Sequence, residues 1–208
     1  MSGTRRAATL PVSFFKRSAE IVARELLGAT LVSSLGGRMT SGVIVETEAY
    51  LGHRDPASHG YLYRRNEGNA ALYGPAGSWY VYLSYGIHWC ANLVCDVEGE
   101  ASAVLLRALA PLDGLETMRG RRGTVTDRLL CSGPGKLCQA LGISREVDGA
   151  VMRTSGLVVV AQKGAAPPLV GVTPRIGITK AADWPLRFLV ADSPWVSRGP
   201  RRVSSAGQ

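Results

Sequence analysis

The chain has 208 residues, 46% hydrophobic and 19% charged, with 24 Lys+Arg against 16 Asp+Glu for a net charge of +8. That length supports one sizeable core rather than two, and no apolar run approaches a membrane span. The excess of arginine makes a polyanion, nucleic acid first, an expected partner. The cysteines, Cys90, Cys95, Cys131 and Cys138, lack the paired spacing of a zinc site, so no metal is expected. They read as reduced, small apolar residues of a cytoplasmic protein. The N-terminus carries charge but no apolar h-region, so no signal peptide is expected.

Residues 1–10 read as a loose basic arm and 198–208 as a basic tail around one domain, 11–197. Ser18 is placed to cap a helix over Ala19–Leu27, which Gly28 stops. Leu31–Leu35, a Gly36-Gly37 turn and Ser41–Tyr50 read as a hairpin. The stretch Gly52–Gly77 is long and irregular, a pattern that is functional or disordered. Trp79–Ser84, Trp89–Asp96 and Ala103–Leu109 are strand candidates. Asp113 is placed to cap a short helix over Leu115–Arg119. Ser132-Gly133-Pro134-Gly135 opens another helix over Lys136–Leu141, with Pro at its start and Gly142 at its end. Leu157–Ala161, Arg175–Thr179 and Leu186–Val190 complete the strands. Strands outnumber helices without regular alternation. The expected fold is therefore α/β of the α+β type: a single domain with a curved, mostly antiparallel mixed β-sheet and peripheral helices.

The stretch VIVETEAY, Val43–Tyr50, carries the most chemistry. As a strand it puts Glu46, Glu48 and Tyr50 on one face, about 7 Å apart in sequence order. Arg107 lies inside the apolar run AVLLRALAP, where a guanidinium is costly unless it reaches water or a carboxylate. Glu48 or Glu46 is its partner, and spacing alone does not choose. A nearby arginine keeps a carboxylate ionised, as a general base requires.

In SWYVYLSYGIHWC, Tyr80 and Tyr82 share a face, and Tyr85 precedes a glycine at a turn tip. Tyr50 and Tyr82 are suited to sandwich a base, and Tyr85 to wedge into a base stack. Asn92, polar within a strand, either satisfies backbone or reads a base edge. His59, in the long loop, is a candidate partner for a base edge or a phosphate. The run SGPGK resembles an anion nest, in which Ser132, Gly133 and Lys136 meet a single phosphate. Arg64, Arg65 and the Arg119/Arg121/Arg122 cluster extend that basic surface along a duplex.

Taken in order, VETEAYLG, His59, YVYLSYG, Asn92, LLRALAP and LCSGPGKLCQALGI resemble the alkyladenine, or 3-methyladenine, DNA glycosylases, from about Ala23 to Trp195. The resemblance implies a monofunctional base-excision repair enzyme, monomeric and without cofactor, metal or lysine Schiff base. It would flip an alkylated or deaminated purine from double-stranded DNA and hydrolyse the N-glycosidic bond, leaving an abasic site. By position it implies Glu48 as the base that activates water. Arg107 and the Ile176 carbonyl would help hold that water. Tyr50, His59, Tyr82 and Asn92 would form the base pocket, with Tyr85 as the intercalating residue. Glu67-Gly68-Asn69 stands where the family usually reads Pro-Arg-Asn, and Arg64 or Arg65 is the expected substitute for the missing arginine. A prokaryotic cytoplasmic location fits this reading. The alternatives are a non-catalytic nucleic-acid-binding module for distorted duplexes and a small-molecule hydrolase using Glu46 and Glu48 as an acid/base pair.

Overall fold

The computed structural model describes residues 8–123, 126–161 and 166–199. Its frame is an eight-stranded sheet. The strands are β1 (Thr30–Ser33), β2 (Thr40–Leu51), β3 (Trp79–Ser84), β4 (His88–Cys95), β5 (Ser102–Asp113), β6 (Leu157–Val160), β7 (Val170–Thr173) and β8 (Arg187–Val190). The order is β3-β4-β5-β2-β1-β6, with β8 pairing β2 and β7 pairing β8. All these pairings are antiparallel, so among the described residues the sheet has none of the parallel pairs a mixed sheet would contain. Short helices flank it: α1 (Val12–Phe15), α2 (Ala19–Glu25), α3 (Leu115–Arg122), α4 (Asp127–Leu130) and α5 (Pro134–Leu141). The α+β expectation holds.

The pleat divides the sheet into two chemically different faces. One face packs on α2 and α5: Ala49, Val81, Leu93, Val104 and Leu106 are buried with Val22, Leu26, Leu137 and Leu141. Thr47, on that face, donates its hydroxyl to the Ala23 carbonyl of α2 at 2.8 Å. The other face carries the polar row. Tyr80 lies opposite Asn92, Asn92 opposite Leu105, and Leu105 opposite Glu48. Glu48 in turn lies opposite Arg187. Residues directly opposite point to the same face, so four strand pairings bring these side chains into one band.

Several elements differ from the sequence expectation. Asp113 does not cap α3. It ends β5, where its carboxylate accepts from the Ser41 hydroxyl at 2.6 Å, and the helix starts after Gly114 in a left-handed conformation. Arg175–Thr179 is not a strand, whereas Val170–Thr173 is. Ala8–Leu10, assigned by composition to the basic arm, run beside β6, with the Leu10 N–H on the Val159 carbonyl at 2.9 Å. The rest of the arm and tail, residues 1–7 and 200–208, lies outside the described residues.

The long loop after β2 is built from short 3-10 turns at Gly52–Arg54, Tyr61–Tyr63 and Glu67–Tyr73. A reciprocal Asn66–Asn69 capping box starts the last of these. Gly52 opens the loop at φ +64°, where an added Cβ would fall 1.9 Å from the Glu100 carbonyl oxygen. Only glycine fits that approach.

Candidate active site

Arg107 answers the question its sequence left open by binding both carboxylates. Its Nε donates to Glu46 Oε1 at 2.9 Å, and its Nη1 lies 3.2 Å from Glu48 Oε1. It sits on β5 between β4 and β2, not on a sheet edge, and is 7% exposed.

Glu46 is the structural member of the pair. It also accepts from Arg187 Nε at 2.7 Å and from both the N–H and hydroxyl of Ser197, at 2.7 and 2.8 Å. Burial pushes its carboxyl up, but Arg107, Arg187 and the Ser197 N–H outweigh that and hold it below the ordinary range. Arg187 reaches further, donating Nη1 to the Thr173 hydroxyl at 2.9 Å. This network ties β2, β5, β7, β8 and the C-terminal segment together.

Glu48 is held differently. Oε1 accepts from the Ile176 N–H at 2.8 Å and faces Arg107. Oε2 accepts from the Tyr50 hydroxyl at 3.0 Å. A carboxylate offers about four lone-pair positions; one hydrogen bond is made to each oxygen, and the Arg107 guanidinium also faces Oε1, so Oε2 is the more open atom. The carboxylate is fully buried. It lies immediately beneath Tyr50, Arg107 and Ile176, which line a cleft of about 810 Å³. Sequence reasoning put this carboxylate in the pocket itself; the structure puts it under the floor.

A second buried ion pair fixes that floor. Arg175 donates Nη2 to Asp55 Oδ1 at 2.9 Å and Nη1 to the Ala49 carbonyl at 3.0 Å. Its guanidinium also lies 4.7 Å from the centre of the Tyr50 ring. Asp55 accepts from the N–H groups of Leu51 and Ala57, at 3.1 and 3.0 Å. One carboxylate thus joins the end of β2, the loop bearing His59 and the segment bearing Ile176.

The cleft walls are aromatic. Tyr80 and Tyr82 stack with centroids 5.3 Å apart, and His59 meets Tyr82 edge-on at 4.5 Å. His59 Nδ1 lies 2.7 Å from the Tyr80 hydroxyl. Burial lowers the imidazole below its ordinary value, so the ring is neutral at pH 7. Burial, with Glu48 beside it, pushes the Tyr50 phenol far up, and burial does the same for Tyr82. These tyrosines are neutral hydrogen-bonding rings.

Asn92 lines the cleft, and its amide nitrogen donates to the Tyr80 carbonyl at 3.0 Å. Its donor group satisfies backbone, which leaves its carbonyl oxygen as the polar atom with capacity for a ligand. Cys90, Leu105 and Gln139 also line the cleft; they carry no sequence signal beyond strand or helix periodicity.

At the mouth, Tyr85 is 86% exposed at φ +51° on the turn between β3 and β4, the tip its sequence predicted. Gly133 and Lys136 at the start of α5 also line the cleft. Gly135 packs so closely that an added Cβ would lie 2.8 Å from His88 Cβ. Ser132 lies outside the main cleft, in a neighbouring cavity shared with Lys136.

Arg64 and Arg65 are exposed and do not line the cleft. The Arg64 carbonyl anchors the loop by accepting from Asn69 Nδ2 and the Tyr73 hydroxyl, at 2.9 and 2.7 Å. Two of the three helix-α3 arginines are committed elsewhere. Arg119 pairs with Asp127 at 2.7 Å, and Arg121 donates to the carbonyls of Ala140 and Leu35 at 3.1 and 2.9 Å. Among the described residues no group of three or more His, Cys, Asp and Glu side chains is arranged to hold a metal ion.

The site is thus a cleft with aromatic walls over a β-sheet floor, with a buried carboxylate and an arginine beneath and within it. The comparisons give it a family. The methylpurine-DNA glycosylase family model matches residues 13–194. A Rhodopseudomonas palustris (strain HaA2) protein is 53% identical over 185 residues, covering 88% of each chain. A Nitrosospira multiformis protein is 49% identical, covering 88% of this chain and 91% of its own. A Methanoculleus marisnigri protein is 47% identical, covering 91% and 99%. All three bear the name "Putative 3-methyladenine DNA glycosylase". The chain belongs to the methylpurine-DNA glycosylase family. It is accordingly a DNA repair enzyme, a hydrolase of N-glycosyl bonds with DNA as its substrate.

Proposed function

We propose that this glycosylase extrudes a damaged purine from duplex DNA into the aromatic cleft and cleaves its glycosidic bond with a water activated by Glu48. The observation that carries the reading is the hydrogen-bond count at Glu48. Oε1 accepts from the Ile176 N–H and faces the Arg107 guanidinium, and Oε2 accepts from the Tyr50 hydroxyl alone, leaving an open lone pair on Oε2 to take a proton. A water entering between Tyr50, Arg107 and Ile176 meets that lone pair. As the bond breaks, the sugar approaches an oxocarbenium ion, and the same fixed negative charge stabilises it.

The ring contacts follow from the walls. Tyr82 and His59 bound one side of the cleft and Tyr50 the floor. Stacking on such rings contributes about 1–3 kcal/mol per base. An alkylated purine such as 3-methyladenine leaves as a good leaving group without acid assistance. Hypoxanthine and ethenoadenine depend more on hydrogen bonds to the ring, for which the neutral His59 and the Asn92 carbonyl are suited. Flipping costs a few kcal/mol, which Tyr85 offsets by occupying the gap left in the stack.

The test is a set of duplexes, each carrying one defined lesion, incubated with the protein and then cleaved with alkali at abasic sites. Breaks at alkylated or deaminated purines and none at undamaged ones support the reading. Tight binding to distorted duplexes with no breaks at any lesion would replace it with the non-catalytic alternative.

A further inference from the structure

A second cavity, of about 490 Å³, adjoins the main cleft through Lys136, which lines both. Its other lining residues are Arg128, Leu129, Ser132 and Arg198. The cations are delivered there by the buried network. Ser197 is pinned by its N–H and hydroxyl on Glu46, and Arg128 Nη2 donates to the Val196 carbonyl at 2.8 Å. These bonds fix the chain on the two residues before Arg198, which lines the cavity together with Lys136.

No carboxylate lines this cavity among the described residues. The acid next to Arg128 in sequence, Asp127, is already paired with Arg119. Burial, then Arg122, Arg198 and Arg128, press the Lys136 ammonium below its ordinary value. Like charges gathered without a counter-ion cost free energy unless an anion completes them.

We propose that Arg128, Arg198 and Lys136, with the Ser132 hydroxyl, seat a backbone phosphate of the DNA strand next to the one that faces the cleft. The inference rests on the reading of the cleft as the place of the extruded nucleotide. Lys136 gives the spatial continuity: it faces the cleft on one side and the seat on the other. Three cations and a hydroxyl around one anion match the chemistry of a phosphodiester. Nothing in the seat reads a base, so it positions the duplex without selecting sequence.

Equilibrium binding to one lesion-bearing duplex across a range of salt concentrations tests the proposal. Arg198→Gln should lower the slope of log K against log salt by about 0.9, and Arg128→Gln/Arg198→Gln by about twice that. Arg153→Gln, an exposed arginine lining neither cavity, controls for net charge and should leave the slope near wild type. A neutral methylphosphonate placed at each phosphate flanking the lesion then locates the contact. One position should weaken binding by wild type and no longer weaken binding by the double variant. Slopes for the seat variants equal to that of Arg153→Gln, or a methylphosphonate penalty that survives in the double variant, would overturn the proposal. Base release by wild type is scored separately. Its absence would sink the glycosylase mechanism while the methylphosphonate result still reports on the seat.

Discussion

Replacing Glu46 by glutamine should destabilise the protein severely, by about 3–5 kcal/mol, because it breaks a fully buried ion network. Glu46 accepts four hydrogen bonds, from Arg107, Arg187 and twice from Ser197. Glutamine keeps one acceptor oxygen and presents an NH₂ towards N–H groups that can only donate: on the Oε2 side the Ser197 N–H, on the Oε1 side the two arginine Nε groups. Arg107 retains Glu48 and Arg187 retains Thr173, which limits the loss to that range. For a chain of this size each kcal/mol moves Tm by about 2–4 °C. Urea unfolding at several pH values is the assay. Glu46 has a folded pKa below its ordinary 4.5. Its contribution is therefore complete above that value and lost as pH falls through the depressed folded pKa. The gap between wild type and Glu46→Gln should be widest from pH 5 upward and narrow in stronger acid. A loss below about 1 kcal/mol, or a gap that does not change with pH, would refute the reasoning.

Two further substitutions test how the floor is held. Arg175→Met should cost about 3–5 kcal/mol in the same unfolding assay, since it leaves Asp55 buried without its cation. Adding Asp55→Asn should recover part of that loss, a coupling that two independent sites would not show. Tyr50→Phe removes the donor on Glu48 Oε2. A hydrogen bond to a charged group contributes about 1.5–3 kcal/mol, so single-turnover base release should slow by roughly 10- to 100-fold. A wild-type rate would show that the Tyr50 hydroxyl has no part in orienting the carboxylate.

The parts of the fold legible in the sequence are those whose pattern is local. The hairpin of β1 and β2, the strands β3 and β4, and the Pro-to-Gly limits of α5 all follow from alternation or capping chemistry. The errors come from partners far along the chain. Arg175–Thr179 reads as a strand, yet Arg175 bonds Asp55, 120 residues away, and the Ile176 N–H goes to Glu48 instead of a ladder. Asp113 has the right identity for a helix cap, but Ser41, 72 residues upstream, claims its carboxylate.

The site shows the same division. Tyr50, His59, Tyr82 and Arg107 converge on one cleft with Glu48 beneath its floor, and the first clue was an arginine in an apolar run. Arg187, inside the apolar run LRFLV, carries the same signal and completes the Glu46 network. Asp55 and Ser197 carry none, because their importance lies in backbone and side-chain contacts that only the folded chain creates.

The most direct test of the account is single-turnover release of the best lesion base by Glu48→Gln at saturating protein, with duplex binding measured alongside. General-base catalysis contributes about 10²–10⁴-fold. The account predicts a rate reduced by at least about 100-fold while the lesion duplex is still bound. Release by Glu48→Gln at the wild-type rate would contradict it.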